Sequence, residues 1–219
     1  MPRPRRLNLS EIESSLRAVQ ADFDQINSTL SMPRDPLSDR VIGYMMRGYE
    51  QVDRLLAEDH DLFRVGSSGC LLGLNHLVLC GAGGEQRADC REQIQATEAH
   101  FYDHGDGGVE ALINRVRILD GESVWRRAAG VYIQVLSQPQ LFIEGNHRTG
   151  ALIMSWMLAR EGRPPFVLSV ANAKAYFDPS SVVKGLRKHS LRMVLTRPKM
   201  LKSFAELLKD AAKKAHQIR

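Results

Sequence analysis

Two stretches decide the class of fold: Glu122-Ser-Val-Trp-Arg-Arg-Ala-Ala-Gly-Val-Tyr-Ile-Gln-Val-Leu136 and Asn146-His-Arg-Thr-Gly-Ala-Leu-Ile-Met-Ser-Trp-Met-Leu-Ala-Arg-Glu161. Each is long enough for three turns or more of helix, and each is dominated by residues that fill a helix face. Ser123 offers a cap in the first turn of the former. Gly162, Pro164 and Pro165 stop the latter. The connection between them, Ser137-Gln-Pro-Gln-Leu-Phe-Ile-Glu-Gly145, is a loop that runs straight into a helix N-terminus.

Working outward, the same period recurs. Ile12, Leu16, Val19, Phe23, Ile26 and Leu30 make one apolar face over 9–30, with Asn8 or Ser10 as cap, until Pro33 and Pro36 break it. Ser38 caps a second helix carrying Val41, Ile42, Met45, Tyr49, Val52, Leu55 and Leu56. The segment 68–80 is apolar nearly all round, which predicts a buried helix ended by Gly81, Gly83 and Gly84. Residues 91–103 fit neither a 3.6-residue period nor an alternation, so a short hairpin and an irregular loop both stay open there. Helices are expected again at 109–119, at about 169–176 and 179–189, and at 198–216. The last has Met200, Leu201, Phe204, Leu207, Leu208 and Ala211 on one face with lysines around them, which suits a docked amphipathic helix. The expectation is an all-α domain with at most a small β element.

With 219 residues, 43% of them hydrophobic, the chain can bury a core without a disulfide or metal staple. No apolar run approaches the ~20 residues that span a bilayer. The start, MPRPRR, has no apolar segment behind it as a secretory signal would. Cys70, Cys80 and Cys90 show no C-x-x-C spacing, so no disulfide framework is expected and the chain reads as cytoplasmic. The net charge of +5 is unevenly spread. From Lys184 onward eleven basic residues face only Glu206 and Asp210, a balance of +9, which leaves residues 1–183 at −4. That basic C-terminus suits either a docked helix or contact with nucleic acid or an anionic surface.

The chemistry concentrates in the loop. Gly145 and Asn146 tolerate unusual backbone geometry, so successive N–H groups can converge, and the helix dipole adds positive potential there. Arg148 in the first turn is placed to clamp a phosphate with its planar fork. Glu144, just outside, is placed to share a divalent cation with such phosphates. The bland alternative is an ordinary turn and cap with a solvated Arg148.

The run Phe142-Ile-Glu-Gly-Asn-His-Arg148 resembles the signature H-P-F-x-x-G-N-G-R of the Fic (Fido) family, which also lies between two helices. Around it, Leu74-Asn-His-Leu-Val-Leu-Cys-Gly81 is similar to the family's early core helix, 91–103 falls where its β-hairpin flap would be, and 128–136 is similar to the helix that leads into the loop. The resemblance covers about residues 40–190. It implies an all-α, Fic-like helical domain over 37–190 with a short β-hairpin flap, preceded by a helical extension over 1–36 and followed by a basic helix over 191–219. It implies transfer of AMP from ATP to a protein hydroxyl, with ATP and Mg2+ as cofactors and an unidentified protein as target. Phe142 would anchor the loop, Glu144 would bind the metal, Gly145, Asn146 and His147 would form the anion turn, and Arg148 would meet the phosphates.

Three departures from that pattern bear on activity. Gln140 stands where the family has its catalytic histidine, and an amide has no useful basicity. Leu141 replaces the proline, and Ala151 replaces a second arginine common in adenylylating members, as in the death-on-curing branch. The alternative is therefore a catalytically inactive nucleotide- or peptide-binding module. His147, His100 and His104 are the histidines near enough in sequence to stand in as base. No Ser or Thr has a Glu four residues later, so the family's [S/T]-x-x-x-E inhibitory motif is not found. A zinc set from His76, Cys80 and Cys90 with His100 or His104 has irregular spacing, and core roles suit these residues better.

Overall fold

The computed structural model describes residues 6–83, 88 and 90–218. The start at residues 1–5, Gly84 of the expected glycine stop and the terminal Arg219 lie outside the described residues. Among those described, ten α-helices run in order: α1 Leu9–Ala21, α2 Phe23–Ser28, α3 Asp39–Ala57, α4 Ser68–Cys80, α5 Arg91–Phe101, α6 Val109–Ile118, α7 Val124–Leu136, α8 Asn146–Arg160, α9 Ala173–Lys184 and α10 Leu191–Asp210. A 3-10 turn, Lys214–His216, precedes the last strand. The all-α expectation holds, with one small two-stranded antiparallel sheet.

The helical hairpin α7–α8 is the centre. Every residue of α8 from Thr149 to Ala159 is buried, and so is every residue of α7 from Ala128 to Leu136. The two helices approach closely because Gly150 faces Tyr132: a Cβ there would sit 2.7 Å from the Tyr132 ring, nearer than van der Waals contact allows. Around this pair pack α3, α4, α6, α9 and α10. One buried cluster runs from Ile12 and Leu16 of α1 through the central hairpin to Phe204 and Leu208 of α10, so it links all three expected segments of the chain. A smaller cluster joins Val19, Phe23 and Ile26 to Ala173.

Local chemistry accounts for several boundaries. Ser38 Oγ accepts from Val41 N, Ser123 Oγ from Arg126 N and Ser190 Oγ from Met193 N, each an N-cap that satisfies a first-turn amide. The expected helix over 9–30 breaks at Asp22, the shared cap of α1 and α2. Helix α4 ends at Gly81, whose φ is 66°.

Four expectations are corrected. Residues 91–101 form a helix, not a β-hairpin flap or loop. Its inner face is Gln93, Ile94, Thr97, His100 and Phe101, spaced for a helix but largely polar. The short sheet is formed by the chain ends instead: Arg6–Leu7 (β1) pairs with Gln217–Ile218 (β2). The two helices expected at 169–176 and 179–189 are one, α9, with Pro179 inside it. The last helix begins at Leu191, not 198, passes through Pro198 and stops at Asp210. Each proline removes a bond to the carbonyl four residues back. Those carbonyls belong to the exposed Ala175 and Val194, where water can replace the donor.

Helix α10 docks as its apolar face implied: Leu201, Phe204, Ala205 and Leu208 are buried, with Met200, Leu207 and Ala211 packed against the core. Leu7 N and the Arg6 guanidinium both bond the Asp53 carboxylate of α3, which ties the end sheet to the body. Among the described residues no helix is long and apolar enough to cross a membrane.

Candidate functional site

The loop between α7 and α8 is held from three sides. On the first, residues 186–188 run beside it: Gln138 N donates to Leu186 O and Lys188 N to Gln138 O, each at 2.8 Å. Lys188, only 4% exposed as a residue, donates from its ammonium to the Pro139 carbonyl. Burial pushes its pKa down to about 8, Asp106 opposing and Arg197 adding to the shift. On the second side is α5. Phe101 stacks flat on Phe142 at 5.4 Å between ring centroids, His100 Nε2 donates to the Gln140 carbonyl at 2.8 Å, and Gln93 Nε2 donates to the Glu144 carboxylate at 2.9 Å. On the third, Asn75 of α4 donates to both the Glu144 carbonyl (2.9 Å) and Thr149 Oγ1 (3.0 Å).

Phe142 is 1% exposed. Asn146 closes the turn on itself: its Oδ1 accepts from Phe142 N at 2.9 Å and its Nδ2 donates to Phe142 O at 2.7 Å. Gly145 precedes α8 at φ 75°, a left-handed conformation that disfavours any side chain, and a Cβ would meet Asn75 Nδ2 at 3.0 Å. The amides that follow open α8 and have no carbonyl one turn back to bind, which leaves donors and a positive dipole end at the loop.

Arg148 is half-buried and donates to the Val78 carbonyl in the last turn of α4, where the dipole favours a cation. Burial lowers its pKa and Glu144 opposes the shift. Gln140 Nε2 donates to the Leu136 carbonyl at 3.1 Å, so this side chain serves the end of α7. Glu144 is exposed, and one carboxylate suits a magnesium ion that takes most of its ligands from phosphate and water.

The histidines separate clearly. His147 does not project into solvent. Its Nδ1 lies 3.1 Å from Tyr132 Oη, in a buried chain that continues to Ser180 Oγ and the Tyr176 carbonyl. Burial first, then Arg34, Lys184 and Arg148, push its pKa down to about 3, which makes it a poor proton acceptor. His104 is exposed beside Glu110. His100 touches residue 140, but its Nε2–H is committed to a carbonyl. For the proposed zinc set, no three His, Cys, Asp or Glu groups among the described residues come together as metal ligands.

The His147 environment has a measurable consequence. In the unfolded chain His147 titrates near pH 6.5. Folded, it stays neutral down to about pH 3. The unfolded state therefore binds more protons across that window, and stability falls as pH drops through it. Urea unfolding at pH 7 and pH 4.5 should show a smaller loss on acidification in His147→Gln than in the wild type.

Among the residues that lock the loop in place, the sequence did not single out Asn75, Gln93 and Thr149. Asn75 alone carried a signal, as a polar residue within an otherwise apolar helix. Compared with family models, with curated proteins and with solved structures, the chain matches none.

Proposed function

We propose that this protein is a Fic-like nucleotide-binding protein that resembles AMP transferases but lacks the base for efficient transfer to a hydroxyl. What supports the reading is one juxtaposition: a left-handed Gly145 opens α8 with its first-turn amides unpaired along the helix, Arg148 lies beside them, and Gln140 is turned onto the Leu136 carbonyl. ATP phosphates would meet the amides after Gly145 and the Arg148 guanidinium. Glu144 would hold Mg2+, which supplies charge neutralisation at the phosphates when bound. A hydroxyl brought to residue 140 would find an amide that can orient it but not take its proton.

Mg-ATP should raise the melting temperature through preferential binding to the folded state, and Arg148→Ala and Glu144→Ala should each remove the shift. The absence of any shift at millimolar Mg-ATP, with the protein folded, would sink this reading. A second reading, a peptide-binding module without nucleotide, draws on the saturation of the loop: Asn146 is spent on Phe142, Arg148 bonds Val78 and Glu144 bonds Gln93. That reading expects no Mg-ATP shift and no sensitivity to Arg148.

A further inference from the structure

We propose that the cavity beneath the first two turns of α8 binds a small organic acid: a compact apolar or aromatic body with one carboxylate and a hydroxyl. The cavity, about 280 Å³, lies between α1, α3, α8, α9 and residues 34–37. Met45, Tyr49, Phe166 and Tyr176 are among its apolar walls, and the Tyr49 hydroxyl is already spent on the Phe166 carbonyl at 2.9 Å. Its polar lining is Arg34, His147 and Arg148, with Asp35 as the one acid, exposed to solvent.

Two guanidinium groups thus border an apolar space with only neutral partners. Arg34 donates to the Phe177 carbonyl and the Ser181 hydroxyl and lies over the Phe177 ring at 5.4 Å, while its Nε is buried and unpartnered. Arg148 donates to the Val78 carbonyl. Among the described residues neither has a carboxylate within ion-pair distance, although charge taken out of water is costly unless it is compensated. Burial first, and then the same positive surroundings, hold His147 uncharged. An anionic head beside Arg34 supplies the missing charge.

The hydroxyl follows from counting protons. Ser180 Oγ donates to the Tyr176 carbonyl, so Tyr132 Oη donates to Ser180 and accepts from His147 Nδ1–H. The neutral ring then keeps a lone pair on Nε2, and that atom is buried without a partner. Both residues line the cavity, and a hydroxy acid that reaches their side chains brings a hydroxyl to the His147 acceptor and a carboxylate to the Arg34 donors. Arg34 lies outside the Fic-like stretch, and nothing here depends on nucleotide binding at Gly145.

The test is calorimetric titration of the full chain with 3-hydroxybenzoate, benzoate and 3-hydroxybenzamide. The hydroxy acid should bind best, the neutral amide roughly tenfold or more weakly. Arg34→Gln should lower affinity for both acids and leave the amide unchanged. In the wild-type protein the Nε2 ¹⁵N resonance of His147 should move on adding the hydroxy acid, and Leu37→Trp, which fills the space without removing charge, should abolish both effects. Equal binding of acid and amide, or a His147 signal unmoved at millimolar hydroxy acid, overturns the proposal whether or not Arg34→Gln folds. Mg-ATP in a separate titration keeps the two readings apart, since its failure to bind counts against the nucleotide site alone.

Discussion

Gln140→His should raise the transfer of labelled AMP from Mg-ATP to protein by about 100-fold or more over the wild type, whose own activity should be undetectable or very slow. A positioned general base contributes about 100- to 10,000-fold, which at 1.36 kcal/mol per tenfold is roughly 3–5 kcal/mol of barrier. The loop around the substitution is already fixed by Phe142 on Phe101, by Asn146 on Phe142 and by His100 on the residue-140 carbonyl. The new imidazole would thus be held by a rigid frame, and only the basicity is changed. If the variant stays silent while binding Mg-ATP, the absent arginine at Ala151 or a lost target groove is the deeper defect. Robust wild-type activity would refute the argument, and its loss in His100→Ala would place the base on α5.

Removing residues 197–219 should unfold the protein, not merely strip away its basic surface. The deletion takes Leu201, Phe204 and Leu208, exposed by 6%, 1% and 1%, out of the face that packs on α7. Truncating one buried leucine to alanine costs about 2–5 kcal/mol and one phenylalanine about 3–5. Together these losses rival the whole stability of about 5–15 kcal/mol typical of a domain. Circular dichroism of the truncated chain should show no cooperative thermal transition near that of the full chain. A folded, cooperative product would mean that α10 is an appendage. For this reason a role of the tail in nucleic-acid binding is better tested by replacing exposed Lys199, Lys202 and Lys209 with glutamine than by deletion.

The sequence was most legible where apolar spacing and turn chemistry agree. Helix α4 runs from Ser68 to Cys80 as expected, Ser38 caps α3, and α8 begins at Asn146. It was misleading where a buried face is polar. Gln93 and His100 turn inward on α5 because they bind the loop, Thr97 is buried on the same face, and a pattern of apolar residues alone cannot register them. It was misleading again at Pro179 and Pro198, since a proline disfavours a helix interior but need not end the helix where the freed carbonyl lies on an exposed residue. The turn at Gly145 and the helix start that follows it were readable, but the locking of the loop was not. Asn75 lies 69 residues before the Glu144 carbonyl that it holds, and a spacing of that kind has no local signature.

The pairing of Arg6–Leu7 with Gln217–Ile218 makes the chain close to a ring in space. Strand β1 must wait for β2, so this sheet cannot form until residues 217–218 have been made. Fastening of β1 to Asp53, 46 residues away, is the nearer contact, and pairing with β2 is the late one. A short linker between the two ends would convert that slow closure into a local turn. A circular permutant opened at the exposed Gly121, between α6 and α7, should therefore keep the fold while reversing the order in which its halves emerge.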